Sequence, residues 1–332
     1  MKKSKIRFLK ISRKSLVTGI ALIAVFLVSA FISSGHLGIA WDDVYGAFGL
    51  SRADNLPSEN SVHFLNVGEG DCTVIFAGDE TVMIDTATSD KYKVIEKYLL
   101  KSGVGRIDYL IITHPHADHM GSAPEIMSKF EVSRLIMRDL EPEDNVKANY
   151  DAIIKTADER NISTELLSED KVIEFRNNAE LDLYLPMENP GSYNESSIVS
   201  MYKFESSRVL VMGDAGFDAE DELMSDGYDI KADILRIGHH GSKYSTSQRF
   251  LSVVSPEYAV ISVGTNNYGH PTTQVIKRLK KAGVNSLRTD LCDGVYVNLY
   301  GDHFEIYVND KTGVESDVAI SSDDGLKKLM VS

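Results

Sequence analysis

Cysteine is scarce in this chain: Cys72 and Cys292 are the only two in 332 residues, far apart in the sequence. Neither sits in a C-x-x-C spacing, so no thiolate metal site is indicated and no chemistry is assigned to them. Pairing in an oxidising compartment and two buried thiols both stay open. Internal repeats and low-complexity tracts are absent, which excludes a solenoid or a linker-dominated chain. The first 41 residues contain no acid at all.

What that segment does contain is Lys2, Lys3, Lys5, Arg7, Lys10, Arg13 and Lys14, followed by an uninterrupted uncharged stretch whose most apolar part runs from Leu16 to Ile32. Its length is at the lower edge of a membrane-spanning helix, and the uncharged residues Ser33 to Trp41 can extend it. A cleaved signal peptide and an uncleaved signal anchor both fit. Ser29-Ala30 and Ser33-Ser34-Gly35 offer small residues, but no A-x-A cleavage site is present, which favours the anchor. The basic flank puts the N-terminus in the cytoplasm and the rest outside. The organisation read from sequence is therefore a basic segment (1–14), a transmembrane signal anchor (15–34), a linker (35–60), one folded domain (61–309) and a polar tail (310–332), which is either disordered or one short helix.

Seven of the 35 basic residues lie in the N-terminal segment and none of the 49 acidic ones. The remaining 28 bases face all 49 acids, a formal balance of −21. Such a field repels polyanions at long range and argues against tight non-specific binding of DNA, though not against cleavage of a strand delivered locally.

Within the domain, short β-branched runs alternate with helical patterns. Strands are expected at 62–67, 73–77, 81–84, 107–113, 171–175, 181–185, 198–204, 208–212, 232–237, 258–263, 295–300 and 303–308. Helices are expected at 91–100, capped by Ser89 or Asp90, and at 123–130, 145–160, 219–225 and 272–282. Two β-rich halves with interleaved helices predict an α/β (α+β) fold, a four-layer αββα sandwich.

One six-residue run stands apart. His114-Pro115-His116-Ala117-Asp118-His119 follows the buried-strand pattern Tyr109-Leu110-Ile111-Ile112-Thr113. Three imidazoles and a carboxylate on a loop at a strand's end can converge on a point, and these are ligands suited to zinc, manganese or iron.

This run has the H-x-H-x-D-H form of the metallo-β-lactamase superfamily, and further segments resemble that family in order. They are Leu65-Asn66-Val67-Gly68-Glu69-Gly70-Asp71, Met83-Ile84-Asp85-Thr86, Val211-Met212-Gly213-Asp214, Leu235 to Ser242 and Tyr268-Gly269-His270-Pro271. The HHGS and YGHP pair resembles the ComEC-like hydrolase branch, and the phosphorylcholine esterase domain is similar. The resemblance spans about residues 61–308 and includes six of the nine histidines.

The resemblance implies two divalent ions, zinc or alternatively manganese. His114 and His116 would face one ion, and Asp118 and His119 the other. Asp214 would hold both through its two oxygens. His240 would be the last ligand, since the family's terminal histidine often begins an H-x-S pattern, with His239 as the alternative. Two ions about 3.5–4 Å apart can activate a bridging hydroxide. Many members carry a further histidine between the halves; here that region reads Asn194-Glu195-Ser196-Ser197, a pattern also found in the ComEC-like branch. Asp118, His239 and His270 are the candidate catalytic residues, and Asn194, Ser242 and Tyr244 the candidate substrate contacts. Asp85 is expected to hold the loop by hydrogen bonds without touching metal. Glu69 and Asp71 read as turn formers or as residues orienting the ligands. His36, His63 and His303 are expected to be structural.

The implied function is a membrane-anchored, extracytoplasmic dinuclear phosphodiesterase acting on a wall polymer, a choline phosphodiester or a nucleic acid. The missing middle histidine argues against a β-lactamase or lactonase. The alternatives are a non-catalytic or regulatory metal-binding module and a nuclease acting on DNA strands in a competence-like system. With at most one span, the chain is not expected to form a DNA-uptake pore by itself.

Overall fold

Runs such as Thr73–Ala77 (TVIFA) and Arg106–Ile112 (RIDYLII) become strands because branched side chains pack well on a pleated surface. The computed structural model describes residues 57–187, 191–310, 320–322 and 327–329. In chain order the first strands are β1 (Asn60–Leu65), β2 (Thr73–Ala77), β3 (Glu80–Ile84), β4 (Arg106–Ile112), β5 (Glu131–Arg138) and β6 (Ser163–Leu167). They are followed by β7 (Lys171–Glu174), β8 (Glu180–Tyr184), β9 (Val199–Phe204), β10 (Ser207–Val211), β11 (Ile234–Arg236), β12 (Tyr258–Ile261) and β13 (Asn285–Arg288). The last are β14 (Cys292–Leu299), β15 (Phe304–Asp310), β16 (Ile320–Ser322) and β17 (Lys327–Leu329). The helices are α1 (Tyr92–Lys101), α2 (Ala117–Met120), α3 (Ala123–Lys129), α4 (Asp144–Glu159), α5 (Phe217–Ser225), α6 (Gln248–Val254) and α7 (Thr273–Ala282).

The strands form a ten-stranded sheet, β16-β17-β15-β14-β1-β2-β3-β4-β5-β6, and a seven-stranded sheet, β13-β12-β11-β10-β9-β8-β7. Alternation along each strand sends every second side chain to the core between the sheets. Val62, Phe64, Ile75, Val82 and Ile84 from one sheet join Leu181, Leu183, Val209, Val211 and Val260 from the other. The outer face of the first sheet packs Val74, Met83 and Leu110 against Ile95, Leu99, Ile126 and Ile153 of its helices. The outer face of the second packs Met201, Leu210 and Leu235 against Leu223, Phe250, Val275 and Leu279. Two sheets between two helical layers make the expected αββα sandwich, each such buried side chain contributing about 1.5–3 kcal/mol.

Two parallel blocks position the site. Strands β3 to β6 run parallel, as do β10 to β13. Loops leaving the C-terminal ends of parallel strands collect on one edge, where ligand sites in α/β sheets form. Asp85 follows β3, His114 to His119 follow β4, Asp214 follows β10, and His239 and His240 follow β11.

Several local expectations are corrected. Strands β5, β6 and β13 and helix α6 are additional. Strands β6 and β13 are polar edge strands, with one flank unpaired by sheet neighbours, so parallel pairing and not apolar alternation defines them. No side chain caps α1, whose N-cap is Lys91 after a single 3₁₀ turn at Ser89–Lys91. In the tail, β16 and β17 extend the sheet where disorder or a helix was expected. Cys72 and Cys292 are not joined by a disulfide; Cys72 is buried beneath the first helical layer, and Cys292 Sγ donates to the Arg288 carbonyl at 3.2 Å. The expected anchor at 15–34 lies outside the described residues, as does His36. Among the described residues no helix is long and apolar enough to cross a membrane.

Candidate metal centre

Strand β4 ends at Ile112, and the chain then turns so that α2 presents Asp118 and His119. Asp85, buried and left-handed (φ 60°), fastens this turn. Its Oδ1 accepts from Thr113 N (2.8 Å), and its Oδ2 accepts from Thr113 Oγ1 (2.8 Å) and from His119 Nδ1 (2.7 Å). With Nδ1 committed to Asp85, His119 turns Nε2 toward Asp214 Oδ1 at 3.3 Å. His240 is held the same way. Its Nδ1 donates to the Ser262 carbonyl at 2.8 Å, and its Nε2 lies 3.4 Å from Asp214 Oδ1 and 3.5 Å from Asp118 Oδ2.

Asp118, His119, Asp214 and His240 thus bring four ligand atoms within 4.8 Å of one another. Three of these atoms, His119 Nε2, Asp214 Oδ1 and His240 Nε2, are buried without a hydrogen-bond partner; their mutual approach lacks hydrogen-bond geometry. Buried polar atoms left unpaired are costly, and a shared divalent cation is the partner that satisfies all three. Each imidazole also has its far nitrogen bonded to a carboxylate or carbonyl, the arrangement found behind metal-ligating histidines. The residues present therefore fit a divalent ion.

His114 and His116 stand beside this cluster. His114 Nδ1 faces the hydroxyls of Thr113 (3.1 Å) and Ser197 (3.3 Å), and its Nε2 is 2.9 Å from His116 Nδ1 and 3.9 Å from Asp214 Oδ2. His239 Nε2 lies 3.8 Å from the same Oδ2. The Asp214 carboxylate therefore divides its oxygens: Oδ1 toward His119 and His240, Oδ2 toward His114 and His239.

Charge follows burial and neighbours. Burial opposes ionisation of Asp214 and Asp118, yet the adjoining histidines hold both carboxyls below the usual range. Burial likewise opposes a charged His119 or His240, but the carboxylates raise both. Burial and neighbouring imidazoles lower His114, and burial lowers His239 and His270.

A cavity of about 310 Å³ opens onto the cluster, lined by Glu69, His116, Asp118, Asn194, Asp214, His239, His240, Asn266, Tyr268 and His270, among others. Asn194 Nδ2 is 3.3 Å from His239 Nε2, and the His239 and His270 rings are 5.5 Å apart. Asn266 braces the Tyr268 loop, donating to the Gly264 and His270 carbonyls and accepting from Tyr268 N and His270 N. Ser242 and Tyr244 are not among the lining residues. Ser242 is buried and accepts from Tyr244 N, and the exposed Tyr244 ring lies under Lys243 Nζ. His63 is buried against Phe76, Tyr98 and Tyr296, and His303 pairs with Asp302 at the surface, both away from the cavity.

Sequence reasoning missed three contributors. Ser197 Oγ accepts from Asp214 N at 3.0 Å and fixes the turn at Gly213, whose φ of 54° and close approach to the Ser197 side chain suit glycine. Glu195 accepts from Gly216 N and Ala219 N at the start of α5. Arg236 is fully buried. A lone charge inside the apolar run Ile234-Leu235-Arg236-Ile237 was the available signal, because such a charge needs a buried partner.

A family model described as the metallo-beta-lactamase superfamily matches residues 65–265. The chain is 31% identical over 255 residues to ComE operon protein 3 of Bacillus subtilis, covering 71% of this chain and 32% of that protein. It is 29% identical over 253 residues to the competence protein ComA of Neisseria gonorrhoeae, covering 75% and 34%. The chain thus spans about a third of the length of these curated relatives. Among solved structures, the metallo-beta-lactamase fold protein YhfI from Bacillus subtilis aligns with a TM-score of 0.50 at 10% identity, covering 71% of this chain and 98% of that one. Zinc-bound PqqB from Methylobacterium extorquens aligns with a TM-score of 0.50 at 11% identity, covering 72% and 100%. Likeness at that identity speaks to the fold alone.

Proposed function

Since the chain belongs to the metallo-β-lactamase superfamily, whose members are generally metal-dependent hydrolases, we propose that it is a dinuclear phosphodiesterase. The observation that carries this reading is the divided Asp214 carboxylate, with Oδ1 3.3–3.4 Å from His119 and His240 and Oδ2 3.8–3.9 Å from His239 and His114. Asp118, His119, Asp214 and His240 would hold one ion, and His114, His116 and Asp214 the other. Imidazole and carboxylate suit zinc, and manganese as well. When bound, such ions supply Lewis-acid charge stabilisation and a water of lowered pKa.

The remaining steps belong to the chain's own side chains. Asp118 stays ionised at the cavity wall, where its carboxylate can accept a hydrogen bond from an attacking water and orient it. His239 and His270, kept neutral by burial, offer N–H groups to the leaving oxygen. Asn194 Nδ2, beside His239, can donate to a phosphoryl oxygen. Among the described residues no Lys or Arg lines the cavity, so its protein charge suits a singly charged phosphodiester better than a dianionic phosphate. The names of the relatives, a competence protein and a ComE operon protein, favour a DNA strand delivered locally; a wall polymer or choline phosphodiester is the other substrate class. The basic N-terminus followed by an uncharged run supports a single membrane anchor with the catalytic domain outside the cell.

The test uses the full chain, loaded separately with zinc and manganese, on an aryl phosphodiester. Metal-dependent turnover is expected, falling at least about 100-fold in His116→Ala and Asp214→Ala. Near two ions per chain with no turnover on aryl, choline or DNA diesters would instead assign the chain to the non-catalytic metal-binding class.

A further inference from the structure

Arg236 and Asp71, neither among the lining residues of the cavity, form an ion pair with side chains 0% and 2% exposed. Arg236 is among the largest side chains buried anywhere in the described residues. Its Nη1 donates to the Gly213 carbonyl and its Nε lies 3.4 Å from Ser262 Oγ. The same Gly213 carbonyl accepts from His239 N at 3.1 Å, and the Ser262 carbonyl accepts from His240 Nδ1 at 2.8 Å. On the other side of the pair, Asp71 N donates to the Asp118 carbonyl at 3.1 Å, and Asp71 O accepts from Ala87 N at 2.8 Å.

The Arg236 side chain therefore holds the Gly213 carbonyl and Ser262, and the Asp71 it pairs with is joined through its main chain to the segment carrying Asp118. The Asp214 and His240 segments leave the paired strands β10 and β11, whereas the Asp118 segment leaves β4 of the other sheet, so no hydrogen-bond ladder aligns it with them. Two of them are also left-handed at the critical point: Gly213 at φ 54°, and His239 and His240 at φ 50° and 51°. Non-glycine residues hold such backbone angles only where the surroundings over-determine them. Desolvating two charges is costly, and a buried pair adds little net stability compared with apolar side chains of similar volume.

We propose that the Asp71–Arg236 pair is a positioning device for the metal centre, locking the three ligand-bearing segments into one register. The proposal rests on the metal-dependent reading above. It concerns ligand convergence, and neither residue touches substrate. Removing the guanidinium fork leaves the Gly213 carbonyl with the His239 N–H alone and unties it from Asp71, which loosens the Asp214 turn against the Asp118 segment and weakens the convergence of the four ligand atoms.

The experiment measures zinc and manganese affinity of the full chain by chelator competition, alongside thermal unfolding. Two variants are compared with the parent: the apolar double replacement Asp71→Leu/Arg236→Met and the single Arg236→Lys. Lysine keeps the charge opposite Asp71 but cannot span Asp71 and Gly213 at once. Both variants are expected to unfold cooperatively and to bind metal about 10- to 100-fold more weakly. A core variant on the same strand, Leu235→Val, should lower the melting temperature and leave metal affinity unchanged. Folded variants with parental affinity overturn the proposal, as does failure of both to fold, which would assign the pair to global stability. A parent chain that binds neither metal defeats the metal reading itself, a result seen before any substitution is made.

Discussion

Asp85 accepts three hydrogen bonds on two oxygens, from Thr113 N, Thr113 Oγ1 and His119 Nδ1. An amide has one oxygen, so Asp85→Asn must turn an NH₂ group toward one of these donors. Leaving a buried donor unpaired costs about 1–3 kcal/mol. The same change releases the His119 ring, and metal affinity is expected to fall about 10- to 100-fold. Isothermal titration with zinc checks this; unchanged affinity would mean that His119 is oriented by something other than Asp85. At this scale the sequence was informative because chemistry-bearing residues are rare and come in recognisable spacings. His114, His116, Asp118 and His119 are crowded into six positions, and their convergence needs only one loop. Arg236 was harder to see, since its partner Asp71 lies 165 positions away and no local pattern joins them.

Among the elements, two glutamates join helices to the site loops. Glu195 sits at the N-terminus of α5, and Glu220 on α5 accepts from Thr246 N and Ser247 N at the start of α6. Burial pushes the Glu220 carboxyl up from 4.5 to about 7, with the Ser247 and Thr246 N–H groups opposing it. The folded state therefore holds a proton that the unfolded chain releases near pH 4.5. Stability from this group is present below about 4.5 and is lost as pH rises toward 7. Chemical denaturation of Glu220→Gln across pH 4.5–8 is expected to differ in slope from the parent by about 3 kcal/mol over that window. Parallel curves would show that Glu220 does not titrate there. Near-continuous apolar runs bounded by turn residues, such as β2 and β3, were legible to within a residue. Polar edge strands such as β13 (NSLR) were not, because the pairing that creates them is supplied by a neighbour distant in sequence.

Over the whole molecule, acids exceed bases by 14, and among the described residues no Lys or Arg lines the cavity. A polyanionic substrate must approach against that field, which salt screens over about 10 Å at 0.1 M. Raising salt from about 10 to 150 mM is therefore expected to lower KM for an oligonucleotide several-fold. A small monoanionic aryl diester should change little under the same conditions. An oligonucleotide KM that rises with salt would point instead to local basic contacts that outweigh the net charge.

What the sequence determined by itself is whatever depends on short range: the αββα class from the alternation of strand and helix patterns, the His-rich segment after β4, and the residue types of the candidate ligands. What only the tertiary structure decided is which atoms face each other. That His240 turns Nε2 to Asp214 Oδ1 while His239 faces Oδ2, and that Arg236 meets Asp71, follows from two sheets closing over a shared core. The physical reason is that burial brings together segments whose separation along the chain carries no trace of the contact.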